Sequence, residues 1–202
     1  MLALLPWLLI AARAVAALAL AVALAMGGLG DRLVFWLFVV AFVSDYFDGV
    51  IARALNVATR PLRQADSLVD TVFYVVLAGA TWTLHPEVVR RHAMALGVCL
   101  GTLAAWYLLD VIRWRAVAGF HSWSAKLFAG ALGLWAIAQY GFGAGGPWLV
   151  VACVVGTLSH LEGIAISLVL RRHVADVPTV LHALRLRAHP ANGRLAPPLL
   201  DT

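Results

Sequence analysis

Apolar residues run along this chain in six stretches of bilayer length, parted by short clusters of Gly, Pro and charged residues. A helix needs about 20 apolar residues to cross the hydrocarbon core, and the pattern predicts spans at 8–27, 33–54, 66–84, 93–113, 124–143 and 147–170. The breaks carry turn signals: Gly27-Gly28-Leu29-Gly30-Asp31-Arg32, Pro61, His85-Pro86, Gly119 and Gly145-Gly146-Pro147. Lipid offers the backbone no hydrogen bonds, so segments of this kind cross it as helices. The fold class expected is all-α, a polytopic membrane protein with six transmembrane helices. Residues 2–12, with Pro6 and Trp7, read as an N-terminal interfacial helix that precedes the first span. From His173 the chain turns polar, with Pro178, Pro190, Pro197 and Pro198, and predicts one short basic helix at Val180–Arg187 followed by a disordered end. Residues 1–172 thus form a transmembrane domain and 173–202 a polar cytoplasmic tail, without internal repeats.

Composition supports the membrane reading. Of 202 residues, 63% are hydrophobic and 12% charged, about half the charge of an average soluble domain. The formal charge of +5 would suggest nucleic acid in a soluble chain, but these basic residues sit at the ends of apolar stretches, where they set topology and meet anionic lipid. Nucleic acid is therefore not an expected partner. In the six-span arrangement Arg13, Arg53, Arg60, Arg63, Arg113, Arg115, Lys126, Arg171, Arg172, Arg185, Arg187 and Arg194 fall on one side, and Arg32, Arg90 and Arg91 on the other. That bias places both termini in the cytoplasm. A cleaved signal peptide is disfavoured, because no basic residue precedes the first apolar run and Arg13 interrupts it. Cys99 and Cys153 both lie inside apolar runs, which excludes a disulfide framework or a cysteine zinc site.

Charges inside a span are costly, and an intramembrane acid is a functional signal by default. Four of the ten acids are Asp45, Asp48, Asp66 and Asp70. The first two are three residues apart near the end of the second span, the others four apart at the start of the third, so each pair shares a helical face. The short connection makes the two spans antiparallel neighbours whose acidic faces meet at the cytoplasmic surface. Four carboxylates so close repel one another, and a divalent cation resolves the repulsion. Oxygen ligands without Cys or His select a hard ion, Mg2+ or Mn2+, and two ions suit phosphoryl transfer. Gly49 and Ala52 remove bulk beside the acids, and Arg53, Arg60 and Arg63 follow where anionic phosphates would enter.

The run Asp45-Tyr-Phe-Asp48-Gly49-Val-Ile-Ala52-Arg53, continued by Asp66 and Asp70, resembles the CDP-alcohol phosphatidyltransferase signature D-x2-D-G-x2-A-R-x8-G-x3-D-x3-D at every offset. Leu62 departs from it, standing where the family pattern has Gly. The resemblance implies a metal-dependent phosphotransferase of phospholipid biosynthesis that moves a phosphatidyl group from CDP-diacylglycerol to a small polar alcohol, with CMP as leaving group. It further implies that Asp45, Asp48, Asp66 and Asp70 hold two divalent metals, that Asp70 is the catalytic base, and that Gly49, Ala52 and Arg53 line the nucleotide site. Family members are commonly homodimers, and a bacterial inner-membrane location with a cytoplasmic active site follows from the same likeness.

Arg113, Arg115 and Lys126 bracket the loop between the fourth and fifth spans and are the candidates for an acceptor phosphate, ordinary positive-inside topology being the competing explanation. They make glycerol 3-phosphate the first choice of acceptor, with inositol phosphate, serine or a second lipid as others. Asp110 and Arg113, three apart, suit mutual neutralisation, whereas His160 and Glu162, two apart, face differently and do not suit a shared metal. Trp82, Trp123 and Trp148 read as interface anchors. Two other functions fit less well. A CDP-choline or CDP-ethanolamine donor with a lipid acceptor is the reverse arrangement of the same chemistry. A cation or proton transporter would carry its acids near the midplane and show a repeat.

Overall fold

A computed structural model describes residues 4–55, 57, 59–115, 122–170 and 177–188, with the side chains of Arg60 and Arg63 outside that description. The described residues contain eight helices and no strand: α1 (Leu5–Ala25), α2 (Asp31–Ala54), α3 (Arg60–Leu84), α4 (Pro86–Arg91), α5 (Ala93–Trp114), α6 (Trp123–Phe142), α7 (Gly145–Val169) and α8 (Val180–Ala188). The protein is an all-α polytopic membrane protein. All six expected spans are helical, but five of the helices (α1, α2, α3, α5 and α7) are long and apolar enough to cross a membrane. The exception is α6, whose apolar run is diluted by Lys126 and Gln139. A separate interfacial helix at 2–12 is not found among the described residues. Pro6 sits in the first turn of α1, where its missing N–H costs nothing, and the helix continues unbroken to Ala25.

Local chemistry explains the helix ends. α1 closes on Gly27 at φ +70°, and the Gly28 N–H reaches back to the Ala23 carbonyl at 2.9 Å, a left-handed cap that glycine adopts without strain. α2 carries Asp31 in its first turn and Arg53 in its last, both matched to the helix dipole. α3 is opened by Thr59, whose hydroxyl accepts from the Leu62 N–H at 3.4 Å, with Pro61 in the first turn.

Two compact units result. The first comprises residues 1–93 and 133–149, the second 94–132 and 150–202. In the first, α1 packs along both α2 and α3, which touch each other less. The buried stripe of α1 is Pro6, Ile10, Arg13, Ala16, Ala17 and Leu20, and that of α2 is Val34, Phe38, Ala41, Ser44, Asp48 and Ala52, both at the three-and-four spacing of a helical face. Small residues on both stripes let the backbones approach. Ile10, Ala52 and Leu62 form one buried cluster, with Val57, Ala65 and Val69 against it. At the other end of this unit His85 Nε2 meets Asp31 Oδ1 at 2.6 Å, and Thr81 and Tyr140 share a hydroxyl hydrogen bond of 2.6 Å.

In the second unit the basic helix expected near the chain end is present as α8. Ile166, Leu170, Val177 and Ala183 make a buried cluster that ties α8 and the segment before it to the end of α7, with Trp106 and Trp114 of α5 packed alongside. The Trp123 N–H donates to the Pro178 carbonyl at 3.4 Å. His160 Nδ1 faces the Cys99 carbonyl at 3.2 Å, whereas Glu162 accepts from Ser124, so these two side chains do point apart. Cys99 and Cys153 are both buried and free. Trp82, Trp123 and Trp148 are exposed near helix ends, as membrane-interface anchors are. The expected disorder beyond Ala188 lies outside the described residues.

Leu62 is therefore a packing residue, and Leu62→Ala is expected to destabilise the protein by about 2–5 kcal/mol, the usual cost of a large-to-small core change. Thermal unfolding in detergent measures it. Gly27→Ala is expected to cost about 1 kcal/mol through its left-handed backbone, and Gly28→Ala, free of that conformation, much less; the same unfolding series compares them.

Candidate functional site

The four carboxylates singled out by spacing come together at one end of the first unit. α2 brings Asp45 and Asp48, and α3 brings Asp66 and Asp70. Single carboxylate oxygens of Asp45, Asp48 and Asp66 lie within 4.8 Å of one another. Asp48 is deepest, its side chain 6% exposed, while Asp66 and Asp70 are about a third open and Asp45 45%. A graded pocket of this kind is buried at its floor and open at its rim. Phe38, Ala41, Phe42, Phe73 and Tyr74 line a small cavity beside Asp45 and Asp70, with Phe38 and Phe42 stacked at 5.6 Å.

The sequence reading placed α2 directly against α3, but α1 is the main partner of each. Its Arg13 enters the middle of the acidic set. Arg13 Nη1 is 3.3 Å from Asp45 Oδ1 and 2.6 Å from Asp66 Oδ1, and it also contacts Asp70; Nη2 contacts Asp48. The residue is 1% exposed. Counting Arg13 among the loop charges that set topology was thus a misreading. The missed signal was its place between Ile10 and Ala17 on the buried stripe of α1, where an unpaired cation would be as costly as an unpaired acid.

The donor set fits a divalent cation. Carboxylate oxygens of Asp45, Asp48 and Asp66 converge within 4.8 Å, Asp70 reaches the same Arg13 guanidinium, and among the described residues no sulfur or imidazole belongs to the cluster, which is the ligand chemistry of a hard ion. One guanidinium leaves the pocket with an excess of negative charge that such an ion would balance.

The other predicted residues are distributed as follows. Gly49 lies beside Arg53: a Cβ at position 49 would come within 3.2 Å of Arg53 Nη1, so the guanidinium folds back over a backbone that has no side chain there. Ala52 is buried against Ile10 and Leu62 and acts as a packing residue among α1, α2 and α3. Arg53 is exposed at the end of α2. Arg113, Arg115 and Lys126 belong to the second unit. There Arg113 Nη2 donates to the Leu170 carbonyl at 3.0 Å and its guanidinium lies 5.0 Å from the Trp114 ring. Lys126 Nζ sits 4.3 Å over the Trp123 ring, and Arg115 follows α5 with φ +53°. Asp110, expected to neutralise Arg113, accepts a hydrogen bond of 2.5 Å from Ser167.

Neither a curated protein nor a solved structure matches the chain significantly. A family model does, that of CDP-alcohol phosphatidyltransferase, over residues 3–159. The match takes in α1, α2 and α3 and so contains Arg13 with all four carboxylates. With the signature acids gathered in one pocket and more than half of the chain matched, this integral membrane protein belongs to the CDP-alcohol phosphatidyltransferase family, the transferases that carry out phosphatidyl transfer in phospholipid synthesis.

Proposed function

We propose that the protein transfers a phosphatidyl group from CDP-diacylglycerol to a small polar alcohol and releases CMP, with glycerol 3-phosphate as the first choice of acceptor. The observation that carries this reading is the convergence of Asp45, Asp48, Asp66 and Asp70 on one half-open pocket, in a chain whose family acts on CDP-linked alcohols. The three basic residues of the second unit support a phosphorylated acceptor. Arg113 and Lys126 are each braced by an indole, and Lys126 keeps an exposed side chain.

In this reading Asp45, Asp48, Asp66 and Asp70 hold Mg2+ or Mn2+, two ions in all, which when bound neutralise the charge of the pyrophosphate. Asp70 takes the proton from the acceptor hydroxyl. Its side chain is 31% exposed, which leaves it open to a hydroxyl at the rim, whereas buried Asp48 is suited to ligation alone. The acceptor oxygen forms a bond to the phosphatidyl phosphorus as the bond from that phosphorus to the CMP oxygen breaks. The proton ends on Asp70 and the electron pair on CMP. Gly49, with no side chain, and Arg53 above it form the approach for the nucleotide, and Ala52 keeps the wall behind them closely packed. Arg113, Arg115 and Lys126 receive the acceptor phosphate.

Residues 1–172 serve as the catalytic domain and 173–202 as the cytoplasmic tail. With Arg13 set apart as a buried pocket residue, eleven basic residues against three favour cytoplasmic termini and a cytoplasmic pocket, and kinship with the family favours a bacterial inner membrane and a homodimer.

Purified protein in detergent is expected to release CMP from CDP-diacylglycerol with Mg2+ or Mn2+ when one acceptor is present. A panel of glycerol 3-phosphate, inositol phosphate, inositol, serine and phosphatidylglycerol identifies that acceptor, and silence across the panel counts against the donor assignment. Asp70→Asn should lower turnover by about 100- to 10,000-fold, the range of a lost general base, while metal-dependent binding of the CDP-lipid partly survives. Asp48→Asn should weaken both binding and turnover. Full activity in either variant overturns the role given to that residue.

A further inference from the structure

One nitrogen of Arg13 does the work of a small spherical cation. Nη1 faces Asp45, Asp66 and Asp70 together, although it carries two hydrogens, and Nη2 faces Asp48. Nε, equally buried, has no acceptor among the described residues. A guanidinium paired with carboxylates frequently does so through parallel forks that use its planar donor set. Here three carboxylates converge on a point and a donor is left over. The oxygens are arranged for a cation without directional preference, and Nη1 stands where they converge.

We propose that Arg13 is the resident counter-cation of this pocket: its guanidinium lies among Asp45, Asp48 and Asp66, whose oxygens are close enough to share a divalent ion, and also contacts Asp70, so that ion binding and the Arg13 contacts exclude each other. The inference rests on the metal reading given above. Its physical basis is the cost of four carboxylates with no counter-charge at the edge of a bilayer. Arg13 keeps the ion-free protein foldable, and the same contacts must be given up when an ion loads. Anything that binds one of two exclusive states shifts the other by its own binding energy, and the consequence has a distinctive sign. If Arg13 instead holds the ligand carboxylates in place while the ion is bound, removing it weakens ion binding. If it competes for the same oxygens, removing it strengthens ion binding and weakens the ion-free fold.

The test is a Mn2+ titration of the full chain in detergent, read by electron paramagnetic resonance of the free ion, alongside thermal unfolding in EDTA and in saturating Mn2+. Arg13→Gln is expected to bind Mn2+ at least tenfold more tightly than the wild type. Its Tm in EDTA should fall below that of the wild type, with the gap closing in Mn2+. Arg13→Lys, which keeps a charge but cannot span four carboxylates, should lie between the two in affinity. Equal or weaker Mn2+ binding by Arg13→Gln overturns the proposal while leaving the metal site standing. Absence of Mn2+ binding in wild type and variant alike overturns both. Should Arg13→Gln fold only when Mn2+ is present, the proposal gains; should it fold in neither condition, Arg13→Lys decides, and an affinity at or below that of the wild type overturns it.

Discussion

Four carboxylates and one arginine, sharing a pocket among three membrane helices, set the terms for the rest of the first unit. A bilayer tolerates such groups only when their charges are matched and their polar atoms are occupied. Arg13 touches all four acids from the buried face of α1, and the helices must be arranged to allow it. That requirement accounts for α1 packing along both α2 and α3 in preference to leaving those two as a closed pair. It also accounts for the alanines around Arg13: Ala16, Ala17 and Ala41 are buried small residues that bring the helix backbones near enough for a guanidinium to reach carboxylates on two of them.

The apolar cluster about one helical turn from Arg13, Asp48 and Asp66 serves the same end. Ile10, Ala52 and Leu62 come from α1, α2 and α3 respectively and lock the three helices just where the acids protrude. Leu62 shows how a signature can lose a glycine without losing its frame. The Thr59 cap and Pro61 already direct the chain into α3, so the position has no need of an unusual backbone and its side chain becomes available for packing. Rigid surroundings matter for phosphoryl transfer, in which positioning and charge stabilisation do most of the catalytic work.

The second unit is built on different interactions. α8 and the segment before it dock through Val177 and Ala183 onto Ile166 and Leu170, so a stretch that composition alone marks as tail contributes to a core. Ser122, Ser124, Ser159 and Glu162 form a polar chain within this unit. Arg113 and Lys126 are each held against an indole, which restrains long cationic side chains without neutralising them.

Much of this was legible from the chain alone. Segment lengths and hydropathy specify helices because lipid leaves the backbone no other partner, and the acids at offsets of three and four specify shared faces because a helix repeats every 3.6 residues. The family signature, being contiguous and local, could likewise be read in one dimension. Pro6 was misassigned to a separate interfacial helix because a proline opens a span as readily as it ends a segment. Arg13 was assigned to topology because its partners lie 32 or more residues away in sequence, and no periodicity along one helix announces which neighbour will face it. Pairing of that kind depends on how three helices pack in space, and only the tertiary structure decides it.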